Sequence, residues 1–412
     1  MHIEDRPLRL AYVSMHTSPD DRPGSGDAGG MNVVELHQAY ALAELGHNVE
    51  LITRRSGADQ RELLELRPGV TLRRVTAGPA EPVAKSRQNE LIGVFSEQLD
   101  AIADTGWDLI HSQHWMSGVA ALPVARRLGI PHVQSFHSVA ALPGASLAAG
   151  EPPESPDRIA GESKIARESD LVIAVSGNEA NTIISRCGAA PARTVIVRPG
   201  VDTEMFGPDG ELFDWATIGV REVPSTGVAV FAARLQPLKG ADLAIRAIAR
   251  MPSQLRPRLV LAGDTSADHQ GYADDLVSLI AEERLAGQVV FTGPQERVDL
   301  ARMLRSATVT MVPSYSETFG LIALESLASG TPVAIWAGAG GLNEVVDDDS
   351  GLVFGDRDPE HWARGLAALL ADSDRYRAMV ASGLHRAGRF TWPGAAQRLT
   401  AAYRHLLGWG HT

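Results

Sequence analysis

Arg234 and Lys239 stand five positions apart in a loop that follows an apolar run ending at Phe231. Downstream, Glu317 and Glu325 stand eight positions apart, with Phe319-Gly320 between them at the start of a helical pattern. Two cations in a strand-to-helix loop suit a diphosphate, and Pro237 and Gly240 give that loop a defined shape. Ionised carboxylates only accept hydrogen bonds, which suits the hydroxyls of a sugar and a ribose. A carboxylate at Glu317 is also favoured by the helix dipole alone. Glu325, set among Leu321, Ile322, Ala323, Leu324 and Leu327, needs polar partners in that apolar setting, and ribose hydroxyls would serve. Together the four residues point to a nucleotide-sugar site. Arg234 and Lys239 would neutralise the diphosphate as it leaves, where fixed donors accelerate the reaction.

A second group lies in the first half. The glycine-rich segment 24–32, with Gly29, Gly30 and Asn32, follows the first apolar run and precedes a helix. Val33, Leu36, Ala39, Tyr40 and Ala43 mark one apolar face of that helix. Glycines let a ligand approach the backbone, and a helix N-terminus favours anions. The spacing is not the dinucleotide fingerprint; the other reading is a surface loop with glycines for turn geometry. His137 follows the run 132–136 at a strand end, the edge where such sheets bind ligands. Lys85, His114, Ser138 and Arg158 would form an anion pocket if they converge, and are otherwise four unrelated polar residues. Asp356-Arg-Asp358 has the spacing of a metal-binding pair, yet Asp358 before Pro359 reads as a helix N-cap. No metal ligand is assigned.

Parallel sheets must carry these residues. Short apolar runs alternate with helical patterns, the signature of βαβ units. The runs are 8–14, 49–53, 71–75, 108–111, 132–136, 171–175 and 194–197, then 227–231, 258–262, 289–292, 309–312, 332–335 and 352–354. Most are wholly apolar, as strands covered on both faces should be. Turn residues at 199–210 mark a reset, so residues 1–203 and 204–389 are read as two doubly wound α/β domains facing across a cleft. A helix over 395–407, after a Pro-Gly break, is expected to close the chain, with 390–412 packing back on the first domain.

The 412 residues carry a formal net charge of −12, which argues against nucleic acid or an anionic membrane as partner. Small-molecule substrates remain, and a homodimer is compatible with the sequence. The single cysteine, Cys187, excludes a disulfide and a thiolate cluster. The start has no signal-peptide core, and no run approaches the ~20 apolar residues of a membrane span. The expectation is a soluble, cytoplasmic protein.

Five segments carry a resemblance over nearly the whole chain: Ser14-Met-His-Thr-Ser-Pro19, the loop 24–32, Arg234-Leu-Gln-Pro-Leu-Lys-Gly240, Pro313-Ser-Tyr-Ser-Glu-Thr-Phe-Gly320 and Gly330-Thr-Pro-Val333. The chain resembles the retaining glycosyltransferases of family 4, with their GT-B fold of two Rossmann-like domains. The first two segments are similar to the mycothiol branch, which moves N-acetylglucosamine from its UDP form to inositol phosphate. The resemblance implies that Arg234 and Lys239 hold the donor phosphates, Glu317 the transferred sugar and Glu325 the ribose. It places Gly29, Gly30, Phe319, Gly320 and Leu321 at the donor, His137 beside the reacting carbon, and Asn32, Lys85, His114, Ser138 and Arg158 at the acceptor. It implies no cofactor beyond a UDP- or GDP-sugar and no metal. His114 and Ser138 stand where that branch has Tyr and Thr, and Leu142-Pro-Gly144 replaces its continuation. A relative recruited to antibiotic biosynthesis stays open, glycosylating an aminocyclitol or attaching the sugar of a GDP-octose donor to the thiol ergothioneine. A nucleotide-sugar 2-epimerase and a non-catalytic sensor are the remaining alternatives.

Overall fold

A computed structural model describes residues 6–24, 28–103, 106–140, 154–265, 269 and 271–409. The first sheet contains β1 (Arg9–Ser14), β2 (Asn48–Arg54), β3 (Leu63–Arg67), β4 (Val70–Val75), β5 (Leu109–Gln113), β6 (His132–Ser135), β7 (Leu171–Ala174) and β8 (Thr194–Ile196). Their order is β3-β4-β2-β1-β5-β6-β7-β8, parallel except for the β3/β4 pair. The second contains β9 (Val228–Ala232), β10 (Arg258–Ala262), β11 (Val289–Gly293), β12 (Val309–Val312), β13 (Val333–Trp336) and β14 (Gly351–Phe354). Its order is β11-β10-β9-β12-β13-β14, parallel throughout.

Period-two alternation feeds two cores in each sheet. Leu10 and Tyr12 of β1 enter one core while Ala11 and Val13 enter the opposite one. In β9, Val228 and Val230 face one side, and Ala229 and Phe231 the other. Both faces are covered, which is why these strands read as continuous apolar runs. All of the expected runs coincide with strands. The strand missing from them is β3, whose burial alternates between exposed and half-buried. It is an antiparallel edge strand rich in Leu, Glu and Arg, and its partner across Pro68-Gly69, not its own propensity, makes it extended.

The Gly30–Glu44 helix departs from the single apolar face expected of it. Val34, Glu35, Gln38, Ala41 and Leu42 are buried as well as Val33 and Ala39. The reason is the closing helix, Trp392–Trp409, which packs Trp392, Ala395, Ala396, Leu399 and Tyr403 into the same core. That helix also starts earlier than expected: Pro393 and Gly394 lie inside its first turn, where Pro is tolerated. A buried polar chain joins it to the sheet. The hydroxyls of Tyr12 and Tyr403 lie 2.6 Å apart, Tyr403 Oη is 2.7 Å from His111 Nδ1, and His111 Nε2 is 2.9 Å from Ser135 Oγ. Burial holds His111 well below its usual pKa and pushes Glu35 up to about 8, with the Ser14 hydroxyl opposing the latter shift.

The chain passes between the sheets twice, and the passes touch. Val201 N donates to Phe390 O at 3.1 Å. A Cβ at Gly200 would lie 2.2 Å from Trp392 N. No helix among the described residues is long and apolar enough to cross a membrane.

Candidate active site

The loops after β9 and β12 are locked together. Tyr315 N donates to Leu238 O at 2.8 Å, and Leu235 N to Asp264 O at 2.9 Å. Gly240 has φ 73°, and a Cβ there would lie 2.3 Å from Pro313 O, so glycine is needed for the approach. Arg357 donates to Pro313 O and lies 3.5 Å over the Tyr315 ring. Within this frame the Lys239 ammonium donates to Glu317 Oε1 at 2.6 Å, and Ser314 Oγ donates to the same oxygen at 2.9 Å. The Lys239 side chain is only 17% exposed, because the ion pair and the folded-back loop cover it. Arg234, half-buried, sits where this loop leaves the strand.

Gly320, with φ 95°, precedes the Leu321–Ala328 helix. The Phe319 ring is buried against Phe390, so this residue offers a ligand its backbone and not its ring. Glu325 is buried and already partnered: Arg297 Nη2 donates to Oε1 at 2.7 Å. The ribose is therefore not needed to satisfy it, but a second carboxylate oxygen remains.

Across the cleft, Thr318 Oγ1 donates to His137 O at 2.9 Å. A Cβ on Gly30 would touch Leu321 Cδ1 at 3.4 Å, so the glycine loop faces the start of that helix. Residues 25–27 of the loop lie outside the described residues. Arg22 Nη2 donates to Pro294 O at 2.6 Å, and Arg22 Nη1 lies 3.1 Å from Glu296. These contacts gather Gly29, Gly30, His137, Lys239, Glu317, Gly320 and Leu321 around one cleft.

His137 and His114 both have left-handed backbones, at φ 58° and 68°. Such strain in a non-glycine residue at a strand end is a functional pointer. His137 Nε2 is 2.6 Å from Gln113 Oε1. A carbonyl oxygen only accepts, so Nε2 carries the proton and Nδ1 is the acceptor. Burial lowers the His137 pKa to about 4, which keeps the ring neutral at pH 7. Beneath it, the Glu179 carboxylate accepts from Val175 N at 2.7 Å and bonds the His137 backbone, while burial raises its pKa to about 7.

The acceptor group is only partly assembled. Arg158 Nη2 donates to Ser138 Oγ at 3.1 Å, so these two do meet. Arg158 is not the uncompensated cation expected, however. Nη1 donates to both Glu154 oxygens at 2.9 Å, and Nε to Glu162 Oε1 at 2.8 Å. Glu162 also accepts from Ala140 N, pinning the loop after β6. His114 is buried, its ring 4.1 Å from that of His16. Asn32 was expected at the acceptor. Its buried amide instead braces loops: Oδ1 accepts from Gly29 N at 2.9 Å, and Nδ2 donates to Thr17 Oγ1 and Ser18 O at 3.0 and 2.6 Å. The Lys85 side chain and residues 142–144 lie outside the described residues.

Sequence reasoning missed the supporting residues Gln113, Glu179, Arg297, Ser314 and Arg357. Only Glu179 carried a local signal, as Ser176-x-x-Glu179, and that signal reads as a helix cap. Ser176 does cap the helix, with its Oγ accepting from Glu179 N at 3.0 Å. Asp358 likewise caps the Pro359–Ala371 helix, accepting from Glu360 N at 3.1 Å.

Comparison with known proteins follows the same division. The profile of Glycosyltransferase Family 4 matches residues 28–205, and that of Glycosyl transferases group 1 matches residues 221–386. The chain is 39% identical over 406 residues to the D-inositol 3-phosphate glycosyltransferase of Stackebrandtia nassauensis, covering 96% of this chain and 91% of that protein. It is 37% identical to the protein of that name from Mycobacterium tuberculosis, over 98% of this chain and 84% of the relative. Sucrose-phosphate synthase from Thermosynechococcus elongatus superposes with a TM-score of 0.86 at 25% identity, over 98% of this chain and all of the other. The catalytic domain of starch synthase IV from Arabidopsis thaliana, bound to ADP and acarbose, does so with a TM-score of 0.76 at 16% identity, over 98% of this chain and 100% of that one.

Proposed function

From the premise that the chain belongs to Glycosyltransferase Family 4 and is a retaining glycosyltransferase of GT-B fold, we propose that it moves a sugar from a nucleoside diphosphate to a small anionic acceptor. The reaction that best fits is transfer of N-acetylglucosamine from UDP to an inositol phosphate. The observation that carries this reading is the Lys239–Glu317 pair, at 2.6 Å, held opposite His137 by the Thr318 hydrogen bond. In it, residues 204–389 bind the donor and residues 1–203 the acceptor. Arg234 and Lys239 take the diphosphate, with the N-terminus of the Leu321–Ala328 helix adding favourable dipole ends. Glu317 accepts from hydroxyls of the transferred sugar, and the second oxygen of Glu325 accepts from the ribose. Neutral His137 presents Nδ1 to the sugar near its reacting carbon. The bond from the anomeric carbon to the leaving phosphate oxygen breaks as the acceptor oxygen bonds the same face. The acceptor proton passes to that phosphate oxygen. Charge growing on the phosphate is what the two cations stabilise most.

The test is incubation with UDP-N-acetylglucosamine and inositol phosphate, read by mass spectrometry. The expected result is a product heavier by one N-acetylhexosamine unit, with one UDP released per product. No product there, alongside turnover of the same donor on another acceptor, would overturn the acceptor assignment and keep the donor site. A donor-only arm showing a 2-epimer would overturn transfer itself. One observation favours a second acceptor class: the two carboxylates that flank Arg158 leave it little net positive charge. A zwitterionic metabolite of antibiotic biosynthesis, with a GDP-sugar as donor, would suit that balance.

A further inference from the structure

A crevice of about 360 Å³ opens where the chain passes between the two sheets, and its walls carry Arg198, Arg386, Arg389 and Arg398 against the single carboxylate of Glu344. These arginines come from separate parts of the fold. Arg198 follows β8, Arg386 ends the Ser373–Ala387 helix, Arg389 lies in the returning pass, and Arg398 lies on the closing helix. Arg398 shares a helix face with Gly394 and Ala395, whose small side chains leave the floor open. Two of the four cations are accounted for. Arg198 Nη2 lies 2.8 Å from Glu344, and Arg386 bonds Asp347 and the Glu344 carbonyl. Arg389 and Arg398 are exposed and have no ion-pair partner among the described residues. Two arginines without such a partner, beside two already paired, leave this concavity a positive charge that favours an anion.

We propose that this crevice is a second anion site, separate from the donor loops, which takes a small molecule bearing two or more phosphate groups. Arg389 and Arg398 bind it directly, and Arg198 can join by sharing its guanidinium between Glu344 and the ligand. Planar guanidinium groups match phosphate oxygens in pairs, which makes arginine the residue for this task. The position gives binding a consequence. Arg198 lies in the pass that leaves the first sheet, and Arg386 and Arg389 lie at the start of the pass that returns, so an occupant would hold the two passes at one relative angle.

Calorimetric titration of the whole protein with inorganic pyrophosphate at low ionic strength tests this. The double variant Arg389→Ala/Arg398→Ala is compared with Arg375→Ala/Arg377→Ala, which removes the same charge from an exposed helix face elsewhere. A melting curve of each variant establishes that it folds, as the exposure of all four residues predicts. Wild type and the control variant should bind alike, with orthophosphate weaker than pyrophosphate. In Arg389→Ala/Arg398→Ala the crevice component should bind at least tenfold more weakly, the scale expected from losing charge-assisted hydrogen bonds. Pyrophosphate also fits the donor loops, so Lys239→Ala should weaken only that component and leave in place the one lost in Arg389→Ala/Arg398→Ala, which separates this site from the donor loops. Equal affinity in all three proteins, equal weakening in both double variants, or no binding by wild type would each overturn the proposal.

Discussion

The two halves of the cleft hold their charges differently. On the side of β9 and β12, one lysine and one carboxylate sit in loops bound to each other by backbone hydrogen bonds, a required glycine and the Arg357 stack. On the side of β5 and β6, a single arginine is shared among Glu154, Glu162 and Ser138, and two histidines carry strained backbones. The first arrangement is stiff, and its cation faces one carboxylate. The second is a balanced cluster that a ligand must reorganise. A rigid charged frame suits the phosphate that every donor shares, whereas a compensated cluster lets acceptor choice change with few substitutions.

The sharpest way to break this comparison is Lys239→Ala. Removing one donor to the leaving group should lower kcat by about 10²–10³. Because Glu317 then loses its partner, the melting temperature should also fall slightly. Steady-state rates beside a melt check both, and near-normal kcat would remove Lys239 from the frame. Arg158→Ala comes next. If the cluster meets an anionic acceptor, the acceptor KM should rise by about 10–100-fold, since a charge-assisted contact is worth roughly 1.5–3 kcal/mol. The donor KM should barely move; equal rises in both would mean that the cluster only supports the fold.

Glu35 offers a third test, of stability. Its folded pKa, about 8, lies above its unfolded value. Stability from the protonated form is therefore fully present below about pH 4.5 and lost progressively as pH rises from there to about 8. Glu35→Gln should melt close to wild type near pH 4.5, gain on it by about 1.4 kcal/mol per pH unit up to about pH 8, and level off above that. A difference that stays constant with pH would show that the carboxyl does not titrate in that window. The smallest effect is expected from Thr318→Val, which removes the bond joining the halves. A neutral hydrogen bond is worth about 1 kcal/mol, so kcat/KM should drop by roughly fivefold with little change in the melt.

The frame after β9 and β12 was readable because its residues are adjacent in sequence: Arg234 to Gly240 is one loop, and Pro313 to Gly320 another. Contiguity keeps cations, shaping glycines and carboxylates in fixed order, so their types and spacing carry the chemistry. The cluster around Arg158 draws on the ends of β5 and β6 and on the Pro156–Glu168 helix, and no spacing rule predicts that Glu154 and Glu162 bracket Arg158. The helical spacing of four does allow that bracket, but the same pattern describes any solvated helix face. For the fold, apolar runs revealed the strands buried on both faces. They could not reveal β3, which is extended because of its neighbour. Nor did periodicity show that Glu35 and Gln38 would be covered, since the covering helix lies more than three hundred residues further along the chain.

That helix has a consequence for how the molecule is made. Tyr403 completes the polar chain through Tyr12 and His111, and Trp392 and Leu399 complete the core beneath β1. The first half emerges from the ribosome long before these residues exist. It must wait with that face open, while the second sheet has every strand it needs by Phe354. The later half can thus finish first, and a chain shortened by its last twenty residues would lose the opposite end of the protein from the one that was cut.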